Sequence, residues 1–394
     1  MCGHDVFYGM GKEYFTEKNC IFTSEEIAQQ PRLWIDLCGM LLEKKNAISA
    51  FMEKAAGDGR TRIVFTGAGS SGFIGDALSV LVAKNNGVRS ESIHSTDIVT
   101  DPGSCLFADV PTLLISFARS GNSPESAGAV RYARAAVKDL LEVAIVCDAA
   151  SDLYTLTAQA GDSLALVMPE GSNDRGFAMT SSVSCMLLAG FALFNADRID
   201  ILAKDIALLA ETLAGAGPKY AEAASRWAGR DFDRIVYLGG GFLKHLAHEA
   251  SLKMMELTAG AVNGSYENPA GFRHGPKSVI NGRTLTVHMV SNDPFTARYD
   301  IDLLKEVVGQ QGQNMIVSIG AGAQGASGDE AIPIAADGYA VGGDICAGLQ
   351  ALVFCQMLAM FKSMHLGVAT DNPSPTGTVN RVVKGITVYG YEGR

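Results

Sequence analysis

The chain has 394 residues, 47% of them apolar and 19% charged, with 42 acidic side chains against 32 basic ones and a formal net charge of −10. That is enough apolar chain for a large core divided over more than one domain. The acidic balance, without a dense Lys/Arg cluster, argues against a nucleic-acid-binding surface, so a substrate anion must be held by local donors. The eight cysteines (2, 20, 38, 105, 147, 185, 346 and 355) are scattered with no CxxC pair, which predicts buried thiols and neither a metal cage nor a disulfide framework. No basic stretch followed by an apolar one opens the chain, and the long apolar runs are short or interrupted by Gln350 and Gln356. Neither a leader nor a membrane span is expected, and a cytoplasmic location is.

Residues 1–44 read as a helical extension in which Thr23-Ser24-Glu25-Glu26 is a capping box ahead of IAQQPRLW. The opening Met1-Cys2-Gly3 matches the start of glutamine amidotransferases, where the cysteine becomes the nucleophile. Only about 60 residues precede the first strand, too few for such a domain, so Cys2 is read as incidental. Arg62–Gly69 is then a buried-strand run ending in a glycine turn, and Arg234–Gly241 repeats it at a spacing of 172 (234 − 62). Val143–Val146 and Met315–Ser318 stand at the same spacing (315 − 143), and Thr112–Ser116 and Thr286–Ser291 lie between them. Continuous apolar strands alternating with helices predict an α/β fold with parallel sheets covered on both faces. The expected division is 45–200 for one half and 216–365 for the other, with Ala214–Pro218 as the junction and 366–394 as a tail. The tail holds Pro373 and Pro375 and then a strand-like VVKGITVYGY.

Gly67-Ala68-Gly69-Ser70-Ser71-Gly72 fits G-x-G-x-x-G between a strand and a helix, which raises a nicotinamide cofactor. Two adjacent hydroxyls suit direct contact to a phosphate instead, and the acidic residue expected after the next strand is poorly matched by Glu91 or Asp97. The following strand ends in a second hydroxyl-rich loop, Arg119-Ser120-Gly121-Asn122-Ser123, ahead of a helix that starts at Pro124. Capping by Ser or Asn would use one such residue; this loop offers several, so the two loops read as one phosphate pocket built from Gly69, Ser70, Ser71, Arg119, Ser120, Asn122 and Ser123.

In the second half, Gly239-Gly240-Gly241 lacks the hydroxyls, but its helix carries Glu249, Lys253 and Glu256 at i, i+4 and i+7, a charged stripe on an otherwise apolar helix. A solvated salt-bridge face is the plain reading of such a stripe. The phosphate loops, together with His274-Gly275-Pro276 downstream, favour a catalytic carboxylate and imidazole, with phosphate held by the first half and chemistry supplied by the second.

Taken together, GAGSSGFIGDAL, SFARSGNSPES, GFAMTSS, HEASLKMMELTAG, GFRHGPKS and TGTVNRVVKGITV resemble the sugar isomerase (SIS) superfamily, in order from about residue 20 onward. Within it the chain is similar to the galactosamine-6-phosphate deaminase/isomerase branch, also described as tagatose-6-phosphate aldose/ketose isomerases. The resemblance implies two tandem doubly wound SIS subdomains, a phosphorylated amino sugar as substrate, and no cofactor or metal. It also implies a homodimer or higher homo-oligomer with shared active sites, and neither nucleic acid nor membrane as partner. Through the isomerase half of glucosamine-6-phosphate synthase it implies proton transfer by Glu256, ring opening by His274 and a C1-end role for Lys384. Lys253, one turn from Glu256, is the candidate to hold it ionised or to stabilise the oxygen at C1. The synthase has Ser where this chain has Ala118, which shifts the expected phosphate contacts towards Ser71, Arg119, Ser120 and Ser123. A non-catalytic sugar-phosphate sensor and a nicotinamide-dependent oxidoreductase are the competing classes.

Overall fold

Runs of aliphatic residues too short for helices, each closed by glycine or a polar turn, form the strands of the computed structural model, which describes residues 6, 7, 9–57, 59–310, 314–323, 328–383 and 385–393. The chain groups into two compact units. The first comprises 33–174, 181–203 and 379–394, and the second 1–32, 175–180 and 204–378.

In the first unit, β1 (Arg62–Thr66), β2 (Ser90–Ser92), β3 (Thr112–Ala118), β4 (Leu140–Val146) and β5 (Ser163–Val167) make a parallel sheet in the order β2-β1-β3-β4-β5. In the second, β6 (Arg234–Gly239), β7 (Asn263–Glu267), β8 (Thr284–Met289), β9 (Met315–Ile319) and β10 (Glu330–Ile332) make another, in the order β7-β6-β8-β9-β10. The fold is therefore α/β with two five-stranded parallel sheets flanked by helices. In each sheet the order reverses beside the first strand, between β1 and β3 and between β6 and β8. That crevice, beyond the carboxyl ends of the strands, is where open α/β sheets take ligands.

The ladders refine the 172-residue spacing. Arg62 pairs with Thr112, and Arg234 pairs with Thr284, so the first and third strands keep that spacing. Leu113 pairs with Leu141 but Leu285 with Met315, so the fourth strands are related by 174 and not by the 172 of the sequence match. A shift of two residues keeps every side chain on its own face, which is why the sequence tolerates it.

The helices include, in chain order, α1 (Ile21–Ala28), α2 (Gln30–Ala56), α3 (Ser70–Asn86), α4 (Pro124–Ala136), α5 (Ser181–Leu193), α6 (Ile199–Ala228), α7 (Phe242–Leu257), α8 (Pro269–Phe272), α9 (Pro294–Gly309) and α10 (Gly343–His365). Four local expectations are corrected. Thr23–Glu26 is no capping box, because α1 already starts at Ile21. The Asp371 carboxylate accepts from the N–H groups of Phe22 and Thr23 at 2.9 and 2.8 Å, a cap supplied from far along the chain. Glu26 accepts from the N–H groups of Arg175 and Gly176 instead of closing a capping box. Ala214–Pro218 is not a loop but lies inside α6, where Leu209, Leu213, Tyr220, Ala221 and Ala224 form a buried stripe at helical spacing that outweighs the glycines and Pro218. The VVKGITVYGY tail forms no strand among its described residues, and its Tyr389 carbonyl accepts from the Tyr132 hydroxyl. Cys2 lies outside the described residues.

α10 also departs from the expectation that the long apolar runs are too short or too interrupted to span a membrane. Despite Gln350 and Gln356, its 23 residues have the length and mean hydropathy (1.6) to cross a membrane. It is instead the core helix of the second unit, 94% buried in that apolar window, and it packs against α7. Gly348 permits this approach, since a Cβ there would lie 2.6 Å from the Phe242 ring. The two glutamines are satisfied internally: Gln350 donates to the Ala335 carbonyl at 2.8 Å and Gln356 accepts from Gln30 at 2.9 Å. The seven described cysteines are all buried, as expected of small hydrophobes.

His288 lies near the carboxyl end of β8, the central strand of its sheet, 1% exposed, and among the described residues neither ring nitrogen has a hydrogen-bond partner. Burial holds its pKa down at about 3, so the ring is neutral in the folded chain. A depressed folded value means stability that is present above the unfolded pKa of 6.5 and lost as pH falls towards 3, at up to about 1.4 kcal/mol per pH unit. His288→Leu should therefore flatten the acid limb of the stability curve, read as urea midpoints between pH 7 and pH 4; parallel curves would contradict it.

Candidate active site

The glycine turn after β1 shapes the first element of the site. Gly69 has φ 55° and ψ −131°, and a Cβ on Gly67 would stand 2.5 Å from the Ser71 carbonyl carbon. Only glycine permits a turn this tight, and it sets the first residues of α3, the buried Ser70 and Ser71, directly at the strand end. The adjacent strand β3 delivers Arg119, which is 7% exposed and donates through Nη2 to the Arg381 carbonyl at 2.6 Å. The two hydroxyl-rich loops thus sit side by side at the reversal point of one sheet, as the sequence predicted.

The remaining loop residues divide. Gly121 has φ 62° and lies so close to Ser151 that a Cβ would be 2.5 Å from its Oγ. Asn122 uses Oδ1 to accept from the N–H of Asp152 at 3.0 Å, which ties the loop to the next strand's turn, and Ser120 Oγ accepts from the N–H of Asn122 at 3.3 Å. Ser123 occupies the N-cap of α4 without capping it through its side chain; its Oγ lies 3.4 Å from Ser126 Oγ. Asn268 and Asp293, by contrast, cap α8 and α9 with their side-chain oxygens. Capping therefore does not account for Ser123. Glu91, a candidate ribose ligand in the nicotinamide reading, is bound by Arg62 at 2.9 Å, and that hydrogen bond holds its pKa below the ordinary carboxylate value.

In the second unit, the turn before α7 has the same backbone, with Gly241 at φ 55° and ψ −126°. Its helix brings Glu249, Lys253 and Glu256 together. Lys253 Nζ lies 3.3 Å from Glu249 Oε1 and 2.5 Å from Glu256 Oε2. The side chains of Glu249 and Lys253 are 2% and 1% exposed, whereas Glu256 retains 25%. This is no solvated salt-bridge face. It is a buried cation between two carboxylates, of which Glu256 alone is open. α7 ends at Leu257, where Ala259 and Gly260 take positive φ and turn the chain out of the helix.

His274 stands exposed on the turn after α8, with its N–H bonded to the Gly271 carbonyl at 2.9 Å. Gly275, at φ 122°, lets the chain reverse into Pro276. Among the described residues no hydrogen bond or ion pair joins His274 to Glu256. The turn is pinned to α9 from both sides: Arg273 Nε reaches Glu306 at 2.6 Å, its Nη2 reaches Asp302 at 2.9 Å, and Lys277 also pairs with Glu306. Glu306 was not legible in the sequence, because nothing in the α9 segment marks it apart from other surface acids. The same holds for Asp174, whose buried carboxylate accepts from the N–H groups of Ser181 and Ser182 at 3.1 and 2.9 Å and starts α5. Lys384 lies outside the described residues. Among the described residues no group of three or more His, Cys, Asp or Glu side chains could hold a metal ion.

The SIS domain family matches residues 59–196. The chain is 37% identical over 374 residues to the D-galactosamine-6-phosphate deaminase AgaS of Escherichia coli, covering 94% of this chain and 96% of that protein. It is also similar to the solved structure of tagatose-6-phosphate ketose/aldose isomerase from Escherichia coli, at TM-score 0.83 and 34% identity, with 94% of this chain and 97% of that one covered. A solved structure from Clostridium novyi NT matches at TM-score 0.93 and 39% identity, over 99% of this chain and all (100%) of that one.

The ion stripe yields a test. Removing one member of a buried pair costs about 3–5 kcal/mol, while replacing both by apolar groups of similar size is close to neutral. Lys253→Met should destabilise by that amount in urea unfolding, and Glu249→Leu combined with Lys253→Met should recover most of it. A single variant as stable as the parent would show the pair to be dispensable.

Proposed function

Because the chain belongs to the SIS family, we propose that it is a phosphosugar deaminase/isomerase that converts galactosamine 6-phosphate and water to tagatose 6-phosphate and ammonia. The observation that carries the reading is the stripe on α7. A half-open carboxylate, Glu256, is oriented by a buried ammonium 2.5 Å away, in a chain that is 37% identical to a galactosamine-6-phosphate deaminase over nearly its whole length.

The chemistry assigned to these residues balances. The 6-phosphate is held by the hydroxyls of Ser70, Ser71, Ser120 and Ser123, by Arg119 and by the backbone N–H groups at the start of α3. His274 transfers the protons that open the pyranose to its C1 aldehyde. Glu256 removes the proton from C2, giving an enolamine, and the proton returns at C1, leaving an imine at C2. Water adds to that imine, the C2–N bond breaks, and ammonia leaves a C2 ketone. Lys253, one turn from Glu256, stabilises the oxygen at C1 as charge develops on it. Lys384 is assigned to the C1 end of the sugar. The same proposal takes the protein as cytoplasmic, built by duplication with halves at about 45–200 and 216–365, and assembled at least as a homodimer with shared sites.

A second reading, aldose–ketose isomerisation without loss of nitrogen, is favoured by the likeness to the tagatose-6-phosphate isomerase structure. It uses the same proton transfer on a substrate bearing a hydroxyl at C2. Ammonia release from galactosamine 6-phosphate and from glucosamine 6-phosphate separates the two. Silence with both, alongside turnover of tagatose 6-phosphate, would reject the deaminase. Binding of sugar phosphate without any turnover would instead reject catalysis and leave a sensor.

Glu256→Gln should bind galactosamine 6-phosphate with little change while losing about 10²–10⁴-fold in kcat, the scale of a general base. Calorimetric titration and an ammonia assay on the same preparation check both halves. Full turnover in this variant would remove Glu256 from the reaction.

A further inference from the structure

Arg381 belongs to the C-terminal segment, far in sequence from the loops of the first unit, yet three of its contacts lie there. Its Nε donates to the Asp174 carbonyl at 2.9 Å, its Nη2 donates to the same carbonyl, and Nη2 also reaches Asn173 Oδ1 at 3.1 Å. Asp174 is a fixed anchor. It is fully buried, and its carboxylate is held by the backbone of Ser181 and Ser182 and by both hydroxyls. A planar guanidinium that grips a fixed carbonyl with two of its nitrogens fixes its own backbone in turn. That backbone carbonyl accepts from Arg119 Nη2 at 2.6 Å. The rest of the segment lies along the same unit, with Tyr391 packed on Tyr132 at 5.0 Å between ring centroids and Val388 over Gly128, where a Cβ would come within 2.9 Å.

We propose that Arg381 is a positioning residue for phosphate binding: by clasping the Asn173–Asp174 backbone it presents its main-chain carbonyl to Arg119 and sets the plane in which that guanidinium meets the phosphate. The proposal rests on the assignment of Arg119 to the phosphate pocket. The guanidinium is a rigid fork of N–H donors, so committing one of them to the carbonyl fixes the orientation of the whole group. Without the clasp the Arg119 side chain regains rotamer freedom, and that freedom must be lost again on binding.

The test titrates inorganic phosphate calorimetrically into the full-length protein. Arg381→Ala should weaken phosphate by about tenfold, the scale of one lost charge-assisted contact, with its melting temperature close to that of the parent. Arg381→Lys should recover part of the loss, and millimolar guanidinium should restore Arg381→Ala. The decisive readout is the pair with Arg119→Ala. If Arg381 acts through Arg119, the double variant binds phosphate no more weakly than Arg119→Ala alone. Losses that multiply, or parental affinity in Arg381→Ala, overturn the positioning role while leaving Arg119 in the pocket. Parental affinity in Arg119→Ala overturns the pocket assignment, and this proposal with it.

Discussion

The strand-to-helix turn at a left-handed glycine is the constraint on which both sheets' functional edges depend. At Gly69 and Gly241 the backbone takes nearly the same angles, φ 55° with ψ −131° and φ 55° with ψ −126°. Two residues earlier, Gly67 and Gly239 leave no room for a Cβ, which would stand within 2.5 and 2.7 Å of the following turn. This geometry brings a helix N-terminus to the carboxyl edge of the central strands, where partial positive charge and unsatisfied N–H groups gather. A net charge of −10 provides no general attraction for an anion, so such a local device is what a phosphate would need.

The two turns share a backbone and differ in the side chains that open the next helix. After Gly69 come Ser70 and Ser71; after Gly241 come Phe242 and Leu243. The second helix spends its first turn on packing, with Phe242 against Gly348 of α10, and carries its polarity further along, at Glu249, Lys253 and Glu256. Burying a lysine and a glutamate on a helix is costly unless they pair. Their pairing at 3.3 Å, with Glu256 added at 2.5 Å, makes the stripe an internal ion cluster with one open end. That asymmetry of exposure separates Glu256 from Glu249, which spacing alone left equivalent.

Where local reading failed, a distant group had replaced a local one. The capping box at Thr23–Glu26 had the right residues, but Asp371 caps α1 from almost the other end of the chain. The glycines and proline of 214–218 look like a linker, but the buried stripe of α6 carries the helix through them. The valine-rich tail has strand propensity, but its carbonyls meet Arg119 and Tyr132 side chains and not a sheet edge.

The sequence by itself determined the α/β class, the two glycine turns, the hydroxyl-rich loops and the charged stripe. Each depends on residues within a turn or two of one another, where periodicity, backbone sterics and side-chain chemistry act directly. Only the tertiary structure decided that Glu306 pins the His274 turn and that Arg381 holds Arg119. Those facts join residues tens to hundreds of positions apart. Their partners are chosen by which surfaces the packed sheets bring into reach, a choice no local pattern records.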